Sequence, residues 1–214
     1  MNSITAWRTV ALAVLVVLVS AGSASAAPGD LDRSFGRDGI VVREFGTVTA
    51  EDIYAAAATP KGKVIVAGYA RVSRVNRPVV ARFGRTGRID RAFGRRGREF
   101  IELPGADGGW ISDIATAAGG KVIVGLTVDH FRGLDEFAVA RLTRDGRLDD
   151  AFGTNGLTVG TFADGTSSSV EGLAVTAEGK ILLAGGAGGD LGLARLTSEG
   201  ELDSGFGGER DRDH

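Results

Sequence analysis

"GRIDRAFGRRG", residues 87–97, returns as "GRLDDAFGTNG" from Gly146, as "GDLDRSFGRDG" from Gly29 and, clipped, as "GELDSGFGGER" from Gly200. Two further markers keep step with it. "GKVIVAG" from Gly62 is echoed by "GKVIVG" from Gly120 and "GKILLAG" from Gly179. "VVARFGRTG" ending at Gly87 is echoed by "AVARLTRDG" ending at Gly146 and "GLARLTSEG" ending at Gly200. A period of about 58 residues, just above the range in which a fixed period signals propellers and solenoids, makes this a chain of tandem units.

Within a unit every local signal is β. In the first, "GIVVREF" from Gly39, "DIYAAAAT" from Asp52, "KVIVAGYA" from Lys63 and "PVVARFG" from Pro78 read as four short strands, the number found in a propeller blade. Pro60-Lys61-Gly62 supplies the turn between the second and third. The third strand has Val64 and Val66 on one face and Ile65 and Ala67 on the other, the pattern of a strand sandwiched between layers. The sequence therefore predicts an all-β, propeller-like array of four-stranded repeats, about three copies plus a partial fourth.

The opening motif, G-x-[LI]-D-x-x-F-G, reads as a connector between sheets. Its Gly frees a turn, Leu31, Ile89, Leu148 or Leu202 plugs the core, and Phe35, Phe93, Phe152 or Phe206 anchors the far end. Asp32, Asp90, Asp149 and Asp203 stand where a carboxylate can accept backbone N–H bonds and hold the turn. Arg82, Arg141 and Arg195 each precede such an aspartate by eight residues. That spacing predicts structural clasps, Arg82 with Asp90, Arg141 with Asp149 and Arg195 with Asp203, each a two-pronged guanidinium–carboxylate bond. The counterpart position for Asp32 is Ala24, so it has no such arginine.

On "LDRSFGRDGIV", "IDRAFGRRG" and "LDDAFGTNG", alternating with GK[VI] and an apolar strand, residues 29 to 208 resemble the delta-60 repeat family of bacterial tandem repeats. The resemblance implies a propeller-like β-fold. It carries no common activity, ligand or catalytic residue. The fourth copy departs from the pattern, with Arg210 where the others have Gly39, Gly97 and Gly156.

The first 26 residues have the order of a cleaved secretory signal peptide, with Arg8, an apolar run from Val10 to Val19 and Ala24-Ser25-Ala26. About ten apolar residues fall short of the roughly 20 that span a bilayer. The expected organisation is a leader over 1–26, a repeat domain over 27–208 and a charged tail over 209–214, secreted or periplasmic, with no stable membrane anchor. With no cysteine there are no disulfides or thiolate metal sites. Formal charge is −2, and −3 once Arg8 leaves, so nucleic acid is not an expected partner. Seven arginines between Arg82 and Arg98 are the local exception, read as solvated turns with an anion-binding patch as the sharper alternative.

The chain offers little for catalysis. Lys63, Lys121 and Lys180 follow glycine but precede Val64, Val122 and Ile181 instead of the Ser or Thr that a phosphate loop needs, so each reads as a turn entering a strand. "GGAGGDLG" from Gly185 lacks dinucleotide spacing and reads as a hairpin. His130 with Asp129, Asp135 and Glu136 reads as a polar hairpin loop, and "GTSSSVEG" from Gly165 as a loop. No catalytic residue or cofactor is assigned. Asp32, Asp90, Asp149 and Asp203 are the weak metal candidates, with Ca²⁺ the ion that oxygen ligands gathered one per blade would suit. The expected function is a secreted, non-enzymatic module that binds an extracellular ligand or protein, or joins an assembly; the alternative is a metal-dependent hydrolase or lactonase at a propeller channel. Three repeats fall short of the roughly 4 to 8 blades of a propeller, so a homodimer that completes a ring is expected, with an open arc as its rival.

Overall fold

The computed structural model describes residues 28–44 and 50–207; the expected leader and charged tail lie outside the described residues. Among the described residues eleven strands form three antiparallel sheets. The first runs β1 (Ala50–Ala58), β2 (Val64–Val72), β3 (Val75–Phe83) and β4 (Arg98–Phe100). The second repeats it as β5 (Gly108–Thr116), β6 (Val122–Asp129), β7 (Glu136–Leu142) and β8 (Leu157–Gly160), and the third as β9 (Ser168–Val175), β10 (Ile181–Ala187) and β11 (Asp190–Leu196). Each first strand skips one residue in its pairing, Tyr54, Ser112 or Glu171, a bulge that bends the strand at the same place in every repeat.

Strand β5 packs across β1, β2 and β3, and β9 across β5, β6 and β7, so each sheet lies face to face on the one before. One core, with Ile65, Val80, Phe93, Ile111 and Leu126, fills the space between the first two sheets. A second, with Ile123, Phe137, Phe152, Val170 and Leu183, fills the space between the last two. The architecture is therefore all-β and propeller-like. The two-sided burial expected of the strand after Gly-Lys is complete only in β6, whose residues from Val122 to Val128 are all buried. In β2 the pattern alternates, with Ile65 and Ala67 buried and Val64 and Val66 half-buried, because a sheet covers that strand on one side only.

Several expectations need correction. The motif does not connect sheets. After it the chain turns back, Arg82 N–H bonds to the Gly97 carbonyl and Ala81 pairs with Arg98, so the motif joins the third and fourth strands of one sheet. The arginines accordingly end the third strand of each sheet, and the strand after each motif belongs to the preceding repeat. "GIVVREF" is no strand over its described residues, where Ile40 makes only an isolated bridge to Arg37. The third sheet has three strands among the described residues. Leu31 and Leu202 are exposed where a core plug was expected, while Ile89 and Leu148 are half-buried, since only motifs lying between two sheets are covered. "GTSSSVEG" is not all loop, for Ser168 is buried at the start of β9 and its Oγ receives the Phe162 N–H.

Candidate functional site

Three of the four motif aspartates, Asp90, Asp149 and Asp203, divide their work between their two oxygens. Oδ1 caps the turn, receiving the N–H of Ala92 at Asp90, of Ala151 at Asp149 and of Gly205 at Asp203. Oδ2 holds two cations. Arg82 Nε lies 2.8 Å from Asp90 Oδ2, Arg141 Nε 2.7 Å from Asp149 Oδ2 and Arg195 Nε 2.8 Å from Asp203 Oδ2. The lysine after each glycine turn meets the same atom, Lys63 at 2.7 Å, Lys121 at 2.8 Å and Lys180 at 2.7 Å.

The guanidinium takes a different set of partners from the two-pronged bond that spacing suggested. Only Nε faces the carboxylate. Nη1 of Arg82 donates to the Arg144 carbonyl, and Nη1 of Arg141 to the Ser198 carbonyl, both in the turn of the following repeat. The flat of each guanidinium covers the motif phenylalanine, Arg82 on Phe93 at 4.6 Å, Arg141 on Phe152 at 4.8 Å and Arg195 on Phe206 at 4.7 Å. One side chain thus ties a turn, a ring and a neighbouring sheet. The carboxyls respond. At Asp149 the Lys121 bond leads in holding the pKa below the usual carboxylate range; at Asp90 burial pushes upward but Lys63, the Ala92 N–H and Arg82 outweigh it. At Asp203 the Lys180 bond leads, and the value falls to about 2.

The immediate context of each lysine, Gly-Lys before an apolar strand, does not mark it as part of a clasp. Their signal was recurrence itself, one lysine per repeat entering β2, β6 or β10 beside the strand that carries the arginine. Asp32 stands apart, its Oδ1 held by the Ser34 N–H at 2.9 Å and hydroxyl at 2.6 Å. The weak metal candidates are not gathered. Asp90, Asp149 and Asp203 are each occupied by cations of their own repeat, and among the described residues no group of three or more His, Asp or Glu could hold a metal ion. His130 Nε2 meets Glu136 Oε2 at 2.9 Å, and Asp135 accepts the His130 N–H at 3.4 Å, a local hairpin arrangement.

The arginine-rich stretch divides. Arg82 turns inward to its clasp. Arg91, Arg95, Arg96 and Arg98, joined by Arg43 and Arg77, line a cleft of about 610 Å³ with Glu44, Glu99 and Glu102 among them. Arg77 and Arg98 lie over the Phe100 ring at 5.1 and 5.4 Å, and Arg77 also pairs with Glu102. Glu99 Oε2 is buried without a hydrogen-bond partner, and burial pushes this carboxyl up. Sequence clustering gave the patch; Arg43 and Arg77 reach it only through folding.

Among the described residues no helix is long and apolar enough to cross a membrane. No curated protein matches the chain. Residues 60–93, 120–152 and 177–206 match the family model described as a domain of unknown function (DUF5122) beta-propeller. Each matched stretch begins at or just before the glycine turn that precedes the lysine and ends at or next to the phenylalanine under the arginine, so every one encloses a lysine, an arginine and an aspartate of one clasp. The chain thus carries three beta-propeller-type repeats similar to that family's, and the clasp is what each of them is built around.

Proposed function

We propose that this chain is an exported, non-enzymatic binding module of the delta-60 repeat type, whose arginine-lined cleft takes a ligand bearing oxyanions. The observation that carries the reading is the cleft of about 610 Å³ with six arginines against three glutamates. Planar guanidiniums match carboxylate, sulfate and phosphate in two-pronged geometry, and the recurring Lys–Asp–Arg sets are already engaged in the frame. Export is supported by the order of charge, apolar run and Ala-Ser-Ala at the start of the sequence.

Dextran sulfate is a suitable probe. Calorimetry at low ionic strength should show binding that weakens as salt screens the charges, and Arg91→Ala with Arg95→Ala should weaken it at least about tenfold. Glu99 sharpens the test. Its pKa is raised, so its charge is lost as pH falls through that raised value, and binding of an anion should strengthen in the same interval. Glu99→Gln should bind more tightly and lose that pH dependence. A chain that ignores the probe at low salt, or binds it equally without Arg91 and Arg95, overturns the reading.

A further inference from the structure

We infer that two copies of this chain join end to end by strand exchange, residues 29–44 of one copy completing the third sheet of the other. The inference rests on what both ends of the array leave uncovered. Ile53 in β1 is 48% exposed, while its counterparts Ile111 and Val170 are 0% and 1% exposed under the preceding sheet. At the other end Leu193 in β11 is 57% exposed, while its counterparts Val80 and Val139 are fully buried under the following sheet. Leu191 is 77% exposed where Phe137 is buried. Both terminal faces therefore carry the side chains of interior faces, and the surface that fits them is a neighbouring repeat.

The strand inventory points the same way. Among the described residues β11 has no partner on its outer edge, and residues 40–44 have no sheet to join. The fold-back after the other motifs depends on a glycine. That turn uses Gly39, Gly97 and Gly156 at φ of +91°, +102° and +90°, and a Cβ at Gly97 would stand 2.3 Å from Ile89 Cγ1. The fourth copy has Arg210 at that place, whereas the first has Gly39 followed by Ile40, Val41 and Val42. The register of the other sheets, Arg98 with Ala81 and Glu99 with Val80, then sets Ile40 against Ala194 and Val41 against Leu193 of the second copy.

The clasp completes the fit. Among the described residues Asp32 has no lysine or arginine partner, and Arg195 meets only Asp203 and Phe206, with no carbonyl of a following turn. The first motif already sits as though a sheet preceded it, for Gly36 N–H bonds to the Thr86 carbonyl as Gly94 does to Asp145 and Gly153 to Glu199. In the exchange Lys180 and Arg195 pass from Asp203 to the second copy's Asp32, and Arg195 Nη1 gains the second copy's Arg85 carbonyl, the counterpart of Arg144 and Ser198. One motif replaces an equivalent one, which keeps the cost low, while strand pairing and two covered apolar faces are added. Two three-sheet chains make a ring of about six blades, inside the usual range of about 4 to 8.

Size exclusion with light scattering at about 50 µM should give twice the chain mass. The chain has no cysteine, so Val41→Cys in one preparation and Leu193→Cys in another, mixed and mildly oxidised, should yield a covalent pair. Val42 and Leu191 are 90% and 77% exposed within one copy, so Val42→Lys with Leu191→Lys should leave a folded monomer. A wild-type monomer, an open series of larger species, a mixture that fails to cross-link, or a lysine variant that still dimerises overturns the inference.

Discussion

Arg141 shows how much can depend on one side chain. It donates through Nε to Asp149, through Nη1 to the Ser198 carbonyl and through Nη2 to the Ala151 carbonyl at 3.1 Å, while its plane covers Phe152. Lysine would keep the charge and lose the fork, so Arg141→Lys should destabilise by about 1–3 kcal/mol in urea unfolding. Arg141→Ala should cost about 3 kcal/mol because the remaining carboxylate is largely buried, and a double-mutant cycle with Asp149→Ala should show coupling well above the additive error of about 0.5 kcal/mol. Simple additivity would reduce the clasp to a by-product of repetition. The eight-residue spacing made these pairs legible in the sequence; their one-pronged form was not, because the second prong goes to a carbonyl some 60 residues away, 57 from Arg141 and 62 from Arg82.

At the scale of elements, the joint between sheets depends on a turn glycine lying flat against a ring. Gly146 has φ +81°, and a Cβ there would come within 2.6 Å of Phe93 Cδ2. Gly146→Ala therefore adds a strained backbone to an overpacked contact and should cost about 2–4 kcal/mol, read as a lower urea midpoint. An unchanged midpoint would show that the first two sheets are not held together there. The strands of the hairpins were legible from β-branched runs bounded by glycine, and β1, β2 and β3 cover those stretches except for one end residue of each, Thr59, Lys63 and Gly84. Which sheet the strand after each motif joins was not legible, since "GIVVREF" and "GREFIEL" have the same composition whether they open a sheet or close one. Only the hydrogen bond from Arg82 N–H to Gly97 decides it.

Across the whole molecule, cover is uneven. Within one copy the second sheet is buried on both faces and its neighbours on one, so in the monomeric lysine variant amides of β6 should exchange with solvent more slowly than those of β2 and β10. Equal protection in the three hairpins of that variant would contradict a layered array. This gradient follows from a repeat architecture, in which each unit's stability is its own plus that of its interfaces. One joint has a further consequence. The arginine that crosses from sheet to sheet is received by main-chain oxygen, at Arg144 in one case and Ser198 in the other. The receiving position is therefore indifferent to the amino acid placed there. Two such turns lie along the array, at 143–146 and 197–200, and the residues between their glycines and strand ends can drift, or be rewritten by design, without loosening the seam that they secure.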